Sequence, residues 1–240
     1  MEVLRLDRLS KNFGSIPVAD SISLSVAEGD ALGIIGPNGA GKTSLFNLIG
    51  GALRPDSGRI YFLGRDVTAL SMEQRCRAGI GRTYQVPKPF TRMTVMENCL
   101  VAAVAGGRNP EGQAYEHCAG ILRQTHLLGK ANQMAGSLTL LERKALELAR
   151  ALSSSPRLLL LDEIAGGLTE HETDELVQLI RGIHAGGTTV VWIEHIVNAL
   201  MAVANRLLVI NFGAKILDGV PAEVMESPEV KRIYMGMEAA

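Results

Sequence analysis

"GIIGPNGAGKTSLFNLI", residues 33–49, decides how the rest of the chain is read. It follows a short apolar run at 31–35 and passes into a helical pattern, the strand-then-helix setting of a phosphate-binding loop. Gly36, Gly41, Lys42 and Thr43 fill the spacing G-x-x-x-x-G-K-[ST]. Glycines let the backbone wrap a phosphate with several N–H groups pointing inward, and a helix starting near Lys42 adds its positive end. Lys42 is expected to reach the β- and γ-phosphates, and the Thr43 hydroxyl to ligate magnesium. Pro37, Asn38, Gly39, Ala40 and Ser44 complete the expected phosphate cradle. The plain alternative is a glycine-rich turn, which the flanking strand and helix argue against.

Such a loop requires a second metal carboxylate at the end of another strand. "RLLLLDEI", residues 157–164, supplies it as Asp162. Glu163, next in the chain, can orient and polarise the water that attacks the γ-phosphate. Alone, a strand-end acidic pair reads as solvated surface; beside a phosphate loop it reads as chemistry. "TTVVWIEH" brings His195 to the end of another apolar strand, on the edge where ligands bind in open α/β folds. An imidazole there can hydrogen-bond a phosphate oxygen or the attacking water. Gln85, in "GIGRTYQVPKPF", stands where α/β text gives way to helical text, and its amide can bind magnesium or water. A lone Gln or His carries little by itself.

The 240 residues suit one large domain with an inserted subdomain. With 47% hydrophobic and 20% charged residues and a net charge of -1, the chain is neither disordered nor a bulk-charge binder of nucleic acid. Cys76, Cys99 and Cys118 lack C-x-x-C spacing and read as free thiols of a reducing compartment. The start, "MEVLRLDRLSKNFG", shows no secretory pattern, and no uncharged apolar run is long enough to span a membrane. Strand-like runs at "VLRL", "SISLSV", "ALGIIG", "RIYFLG", "RLLLLD", "TTVVWIEH", "RLLVIN" and "AKILDG" alternate with helical patterns, predicting an α/β fold with a mostly parallel sheet covered on both faces. Strand signals vanish between about 86 and 150, where the text turns helical around a loop-like "AGGRNPEG". That stretch is expected to be a helical subdomain inserted into a core of about 1–85 and 151–215, with a strand and helices over about 216–240.

"SLTLLERKALEL", residues 137–148, predicts an amphipathic helix. Leu138, Leu141, Ala145, Leu148 and Leu152 form its apolar stripe, leaving Glu142, Arg143, Lys144, Glu147 and Arg150 for a solvated back. Thr139 with Glu142 three residues on is a capping-box pair.

These pieces in this order resemble the ATP-binding cassette of ABC transporters: "GPNGAGKT", Gln85, a signature at 138–142, "LLLLDE" and His195. The resemblance covers essentially the whole chain. Finer features are similar to the ATP-binding subunits of branched-chain amino acid and related amide importers: "RTYQ", "GGLT", "IEH" and the closing "SPEVKRIYMG". It implies a P-loop NTPase fold, with an antiparallel β part beside the core sheet, spanning residues 1–236. Phe13 then takes the place of the aromatic residue that stacks on adenine. ATP and Mg2+ are the implied cofactors. The implied assembly pairs this cassette with a second, in a homodimer or heterodimer, on two transmembrane permease subunits at the cytoplasmic face of the inner membrane. An extracytoplasmic substrate-binding protein joins indirectly, and no nucleic acid is involved. Each ATP would lie between one subunit's phosphate loop and the other's signature helix.

Matching "ELARAL" to the family's helix end puts Leu138, Thr139, Leu140, Leu141 and Glu142 on the usual Leu-Ser-Gly-Gly-Gln. Thr139 keeps the hydroxyl; both glycines are gone, and a Leu side chain fills space beside a phosphate. The site built on this signature is therefore expected to be weaker than the one built on Lys42, Glu163 and His195. Thr169 stands where many cassettes place an aspartate. The expected function is an ATPase powering import of branched-chain or related amino acids or amides. Alternatives are the cassette of an exporter or lipid-extraction system and a soluble cassette ATPase uncoupled from transport. The transported substrate is not written in these residues.

Overall fold

The computed structural model describes residues 1–106 and 111–235, so most of the loop expected at "AGGRNPEG" and the end of the C-terminal segment, from 236, lie outside the described residues. Two compact units divide the chain: Met1–Met72 with Thr189 onward, and Glu73–Thr188.

Two long strands open the first unit, β1 (Glu2–Phe13) and β2 (Ile16–Ala27). In β2 the serines of "SISLSV" face outward while Ile22, Leu24 and Val26 are buried, the alternation of a sheet with one covered face. Then come β3 (Ala31–Ile35), α1 (Lys42–Gly50), β4 (Ser57–Phe62) and the two-residue β5 (Arg65–Asp66). Antiparallel pairing orders one sheet as β2-β1-β4-β5, the antiparallel part expected from the family resemblance.

α2 (Met72–Ala78) leads into the second unit. There follow β6 (Ile80–Arg82), α3 (Val95–Ala105), α4 (Glu111–Gln124), α5 (Leu140–Ser153), β7 (Leu158–Asp162) and α6 (Glu170–Ala185). β6 is parallel to β7, with Ile80 opposite Leu158 and Arg82 opposite Leu160. The sequence reading does not anticipate β6, because three residues carry no period. Cys99 and Cys118 are buried in this unit, and burial pushes the Cys99 thiol up to about 12. All three cysteines are free thiols.

Three helices here start from the same device. Thr94, Thr139 and Thr169 each accept the N–H three residues on, while Glu97, Glu142 and Glu172 reach back to the cap N–H. For α5, the Thr139 N–H to Glu142 Oε2 distance is 3.0 Å, and Lys130 pairs with the other carboxylate oxygen. The capping box read from the sequence is thus present. Thr139→Ala should cost about 1 kcal/mol, measured as a thermal midpoint lower by roughly 2–4 °C in a chain of this size. The Lys130 ammonium, followed by the Thr139 N–H, holds the Glu142 carboxyl below its ordinary value. That contribution is complete above the ordinary value and fades as pH falls through the lowered one.

The solvated back expected for α5 needs correction. Lys144 and Glu147 are 3% and 6% exposed, because α3, α4 and α6 all pack against α5 and leave it little free surface. Burial pushes the Glu147 carboxyl up, while Arg150 and the backbone N–H groups of Lys88 and Tyr84 bond to it.

The chain returns to the first unit with β8 (Thr189–Ile193), α7 (Val197–Met201), β9 (Arg206–Asn211), β10 (Ala214–Gly219), α8 (Pro221–Glu226) and α9 (Pro228–Met235). β3 lies between β8 and β9, parallel to both, and β10 adds antiparallel to β9. All five residues of β3 and of β8 are buried, as strands covered on both faces must be. Among the described residues, no helix is long and apolar enough to cross a membrane.

Candidate functional site

Three neighbouring parallel strands of the first unit, β8, β3 and β9, end on the same edge, and the expected phosphate loop leaves the middle one. Residues 36–41 turn from β3 into α1 through Gly39 (φ 78°) and Gly41 (φ 101°), backbone that L side chains rarely adopt. Space matters as much as torsion. A Cβ on Gly36 would stand 2.1 Å from the Ile210 carbonyl oxygen, and one on Gly41 2.2 Å from that of Val18. The Gly213 N–H donates to Ala40 O at 2.9 Å, tying the loop to the β9–β10 turn.

Lys42 is 5% exposed, and its Nζ donates to Gly36 O at 2.7 Å and Pro37 O at 3.0 Å. The ammonium therefore lies under the loop it follows. α1 starts at Gly41 without a side-chain cap and with no acid in its first turn. Its first N–H groups and the positive end of its dipole are presented to an anion instead of to a capping oxygen. Thr43 is exposed in that first turn, Ser44 half-buried, and Asn38 and Gly39 are exposed on the loop.

His195 follows β8 by two residues, is exposed, and its N–H donates to the buried Glu194 carboxylate at 3.0 Å. Ile34 pairs with Ile193, so the loop and His195 leave adjacent strand ends. Phe13 closes β1 at 52% exposure, with the Lys11 Nζ 6.0 Å from its ring. An exposed ring at a hairpin end offers a stacking face.

In the second unit, β7 ends with Asp162, and Glu163 follows at φ 46°. The Asp162 side chain is 6% exposed and its Oδ2 accepts from Arg82 Nη2 at 2.8 Å. Gln85 Nε2 donates to Glu163 Oε2 at 2.7 Å. The fold thus brings Gln85 to Glu163, two residues read separately in the sequence. It also supplies supports the sequence reading missed. Arg82 pairs with Asp162, and Glu147 and Arg150 of α5 hold the segment carrying Gln85, the latter through Lys88 O at 2.8 Å. No local signal in "GRTYQ" points to Arg82, because its partner lies 80 residues further along the chain.

Leu138 is buried just before α5, Thr139 is its N-cap, and Leu140 is 42% exposed at its first position. Leu140 Cδ2 comes within 3.4 Å of where a Cβ on Gly167 would stand, so the side chain covers that loop. Thr169 is spent locally as the N-cap of α6, with its hydroxyl and N–H both on Glu172.

Each residue by its own chemistry suits a hard divalent cation: the Thr43 hydroxyl in the first unit, and the Asp162 carboxylate and Gln85 amide oxygen in the second, are oxygen donors of the type magnesium takes. Among the described residues, no cluster of three or more His, Cys, Asp or Glu side chains is placed to hold a metal ion.

The family profile described as ABC transporter matches residues 19–166. The high-affinity branched-chain amino acid transport ATP-binding protein BraF of Pseudomonas aeruginosa is 35% identical over 249 aligned residues, covering 98% of each chain. The lipopolysaccharide export system ATP-binding protein LptB of Acidithiobacillus ferridurans is 34% identical, covering 98% of this chain and 97% of its own. Among solved structures, the ADP conformation of MJ1267, an ATP-binding cassette of an ABC transporter, superposes with a TM-score of 0.89 at 32% identity over 98% of this chain and 99% of that one.

Proposed function

Because this chain belongs to the ABC transporter family, as one of its ATP-binding cassettes, we propose that it hydrolyses ATP to power import of branched-chain or related amino acids or amides through membrane permeases. One observation carries the reading: an intact phosphate loop on a buried strand end, in a chain alike over 98% of its length to a branched-chain amino acid cassette.

Lys42 and the first N–H groups of α1 bind the β- and γ-phosphates, the glycines of 36–41 admit them, and Phe13 stacks on the base. Thr43, Asp162 and Gln85 are the residues that would ligate Mg2+, and the ion would supply neutralisation of charge on the phosphates. Glu163 accepts the proton of the attacking water, with Gln85 orienting its carboxylate. His195 hydrogen-bonds the γ-phosphate. Leu138 and Thr139 face the nucleotide of a second cassette.

Two permease subunits, a second cassette and, indirectly, an extracytoplasmic binding protein complete the assembly, with this chain peripheral at the cytoplasmic face. A cavity of about 290 Å3 in the second unit is lined by Tyr84, Phe90, Val101, Glu147 and Arg150 among others. The test is reconstitution with the permeases in vesicles: ATP turnover should rise when the binding protein is loaded with a branched-chain amino acid or amide. Turnover indifferent to every such load removes the import reading. The likeness to LptB favours a second reading, an export cassette, which the same vesicles separate by the direction of cargo movement.

In a heterodimer whose partner carries a fuller signature, Leu140 and Leu141 at the start of α5 make the nucleotide site they face weaker than the one built on Lys42, Glu163 and His195. Leu140→Gly together with Leu141→Gly in the assembled transporter should raise turnover several-fold, because both side chains standing where the family has glycine are removed from the helix N-terminus while the Thr139 cap is kept. Unchanged turnover removes the asymmetry.

A further inference from the structure

Where β6 ends, the chain stays in step with β7 through side chains. The Thr83 N–H donates to Leu160 O at 2.9 Å and the Asp162 N–H to Thr83 Oγ1 at 3.3 Å. Arg82 grips Asp162 and Gln85 grips Glu163, at 2.8 and 2.7 Å. Residues 82, 83 and 85 thus bond to residues 160, 162 and 163, and both strand-end carboxylates are held by one short segment. The ion pair is itself well enclosed: its side chains are 10% and 6% exposed, and the Arg82 guanidinium lies 5.1 Å from the Tyr84 ring centre. Enclosing two charges is costly, and a pair of apolar residues would serve stability as well. The gain from this pair is directional, since a guanidinium nitrogen at hydrogen-bond distance fixes a carboxylate's orientation as well as its charge.

We propose that Arg82 is a positioning residue for Asp162: by holding Oδ2, it fixes the direction in which the carboxylate meets the divalent cation that accompanies ATP. This rests on the metal-ligand role proposed for Asp162. Removing Arg82 has two opposed effects. The site gains net negative charge, which attracts any divalent cation, and the carboxylate loses its orientation. Mg2+ takes six oxygens in near-ideal octahedral geometry, whereas Ca2+ accepts six to eight at looser distances. A charge effect would act on both ions alike; a loss of orientation weakens Mg2+ selectively.

The experiment titrates a fluorescent ATP analogue onto the full-length chain in EDTA, in Mg2+ and in Ca2+, for the wild type, Arg82→Ala, Arg82→Lys and Asp162→Asn. For Arg82→Ala the Mg2+-supported gain in affinity should fall about 10- to 100-fold, as removal of a ligand's supporting partner does elsewhere. Binding in EDTA and in Ca2+ should stay close to wild type. Arg82→Lys, which keeps the charge without the planar fork, should fall in between. Equal losses with both ions, a loss already present in EDTA, or no loss at all would overturn the assignment. If Arg82→Ala does not fold by circular dichroism, Arg82→Lys decides, a wild-type cation profile being the overturning result. Asp162→Asn separates the two layers: if it keeps full Mg2+ dependence, the metal-ligand reading fails, and if it alone loses it, only the role of Arg82 fails.

Discussion

Glu163→Gln should give a folded chain that binds ATP with near wild-type affinity and releases phosphate about 100- to 10,000-fold more slowly, the range for removal of a positioned general base. The substitution changes little except proton affinity. An amide has the shape of the carboxylate, and its oxygen can still accept from Gln85 Nε2, which stands 2.7 Å from Glu163 Oε2. Local geometry should therefore survive, and a slow variant reports lost chemistry, not lost structure. Steady-state phosphate release paired with equilibrium nucleotide binding makes the distinction. Activity that survives the substitution shows that another group takes the proton.

Gly41→Ala should abolish nucleotide binding, weakening it by more than about 100-fold, equivalent to some 3 kcal/mol. Two costs coincide there. The backbone sits at φ 101°, and an added Cβ would stand 2.2 Å from the Val18 carbonyl oxygen, a backbone atom that cannot swing aside. Either the loop shifts off its path or β2 does, and a phosphate cradle displaced by even 1 Å loses its aligned N–H groups. The thermal midpoint should drop as well, by roughly 6–12 °C for a cost of about 3 kcal/mol in a chain of this size. Gly39→Ala is the matched control: it shares the left-handed torsion, at φ 78°, but nothing lies within 4 Å of its added Cβ. It should cost only about 1 kcal/mol of backbone strain. Equal effects at the two positions would mean that torsion, not the close approach of β2, governs the loop.

The strand-to-helix setting of the phosphate loop was legible because an apolar run precedes the motif and a helical pattern follows it, and Asp162 and Glu163 because a run of buried leucines ends on them. The capping box of α5 was legible as well, since Thr139 and Glu142 are local partners. Long-range partnerships were not. Nothing in "GRTYQ" states that Arg82 meets Asp162 or that Gln85 meets Glu163, because a three-residue strand sets that register. Lys144 and Glu147 misled for a related reason: charge at a helical position signals solvent only if no other element covers that face, and three helices do so here. Thr169 reads in sequence as a departure from a family pattern, and the structure gives it a local task as a helix cap.

The phosphate loop lies early in the sequence, yet its walls do not. Gly36 is pressed by Ile210, Ala40 accepts a bond from Gly213, and β3 is flanked by β8 and β9. During synthesis, the motif leaves the ribosome long before these neighbours exist. A nascent chain carrying the complete G-x-x-x-x-G-K-[ST] text therefore has no formed cradle until β8, β9 and the turn at Gly213 have emerged. The competence to hold ATP therefore depends on residues some 170 positions downstream of the loop, as well as on the motif itself.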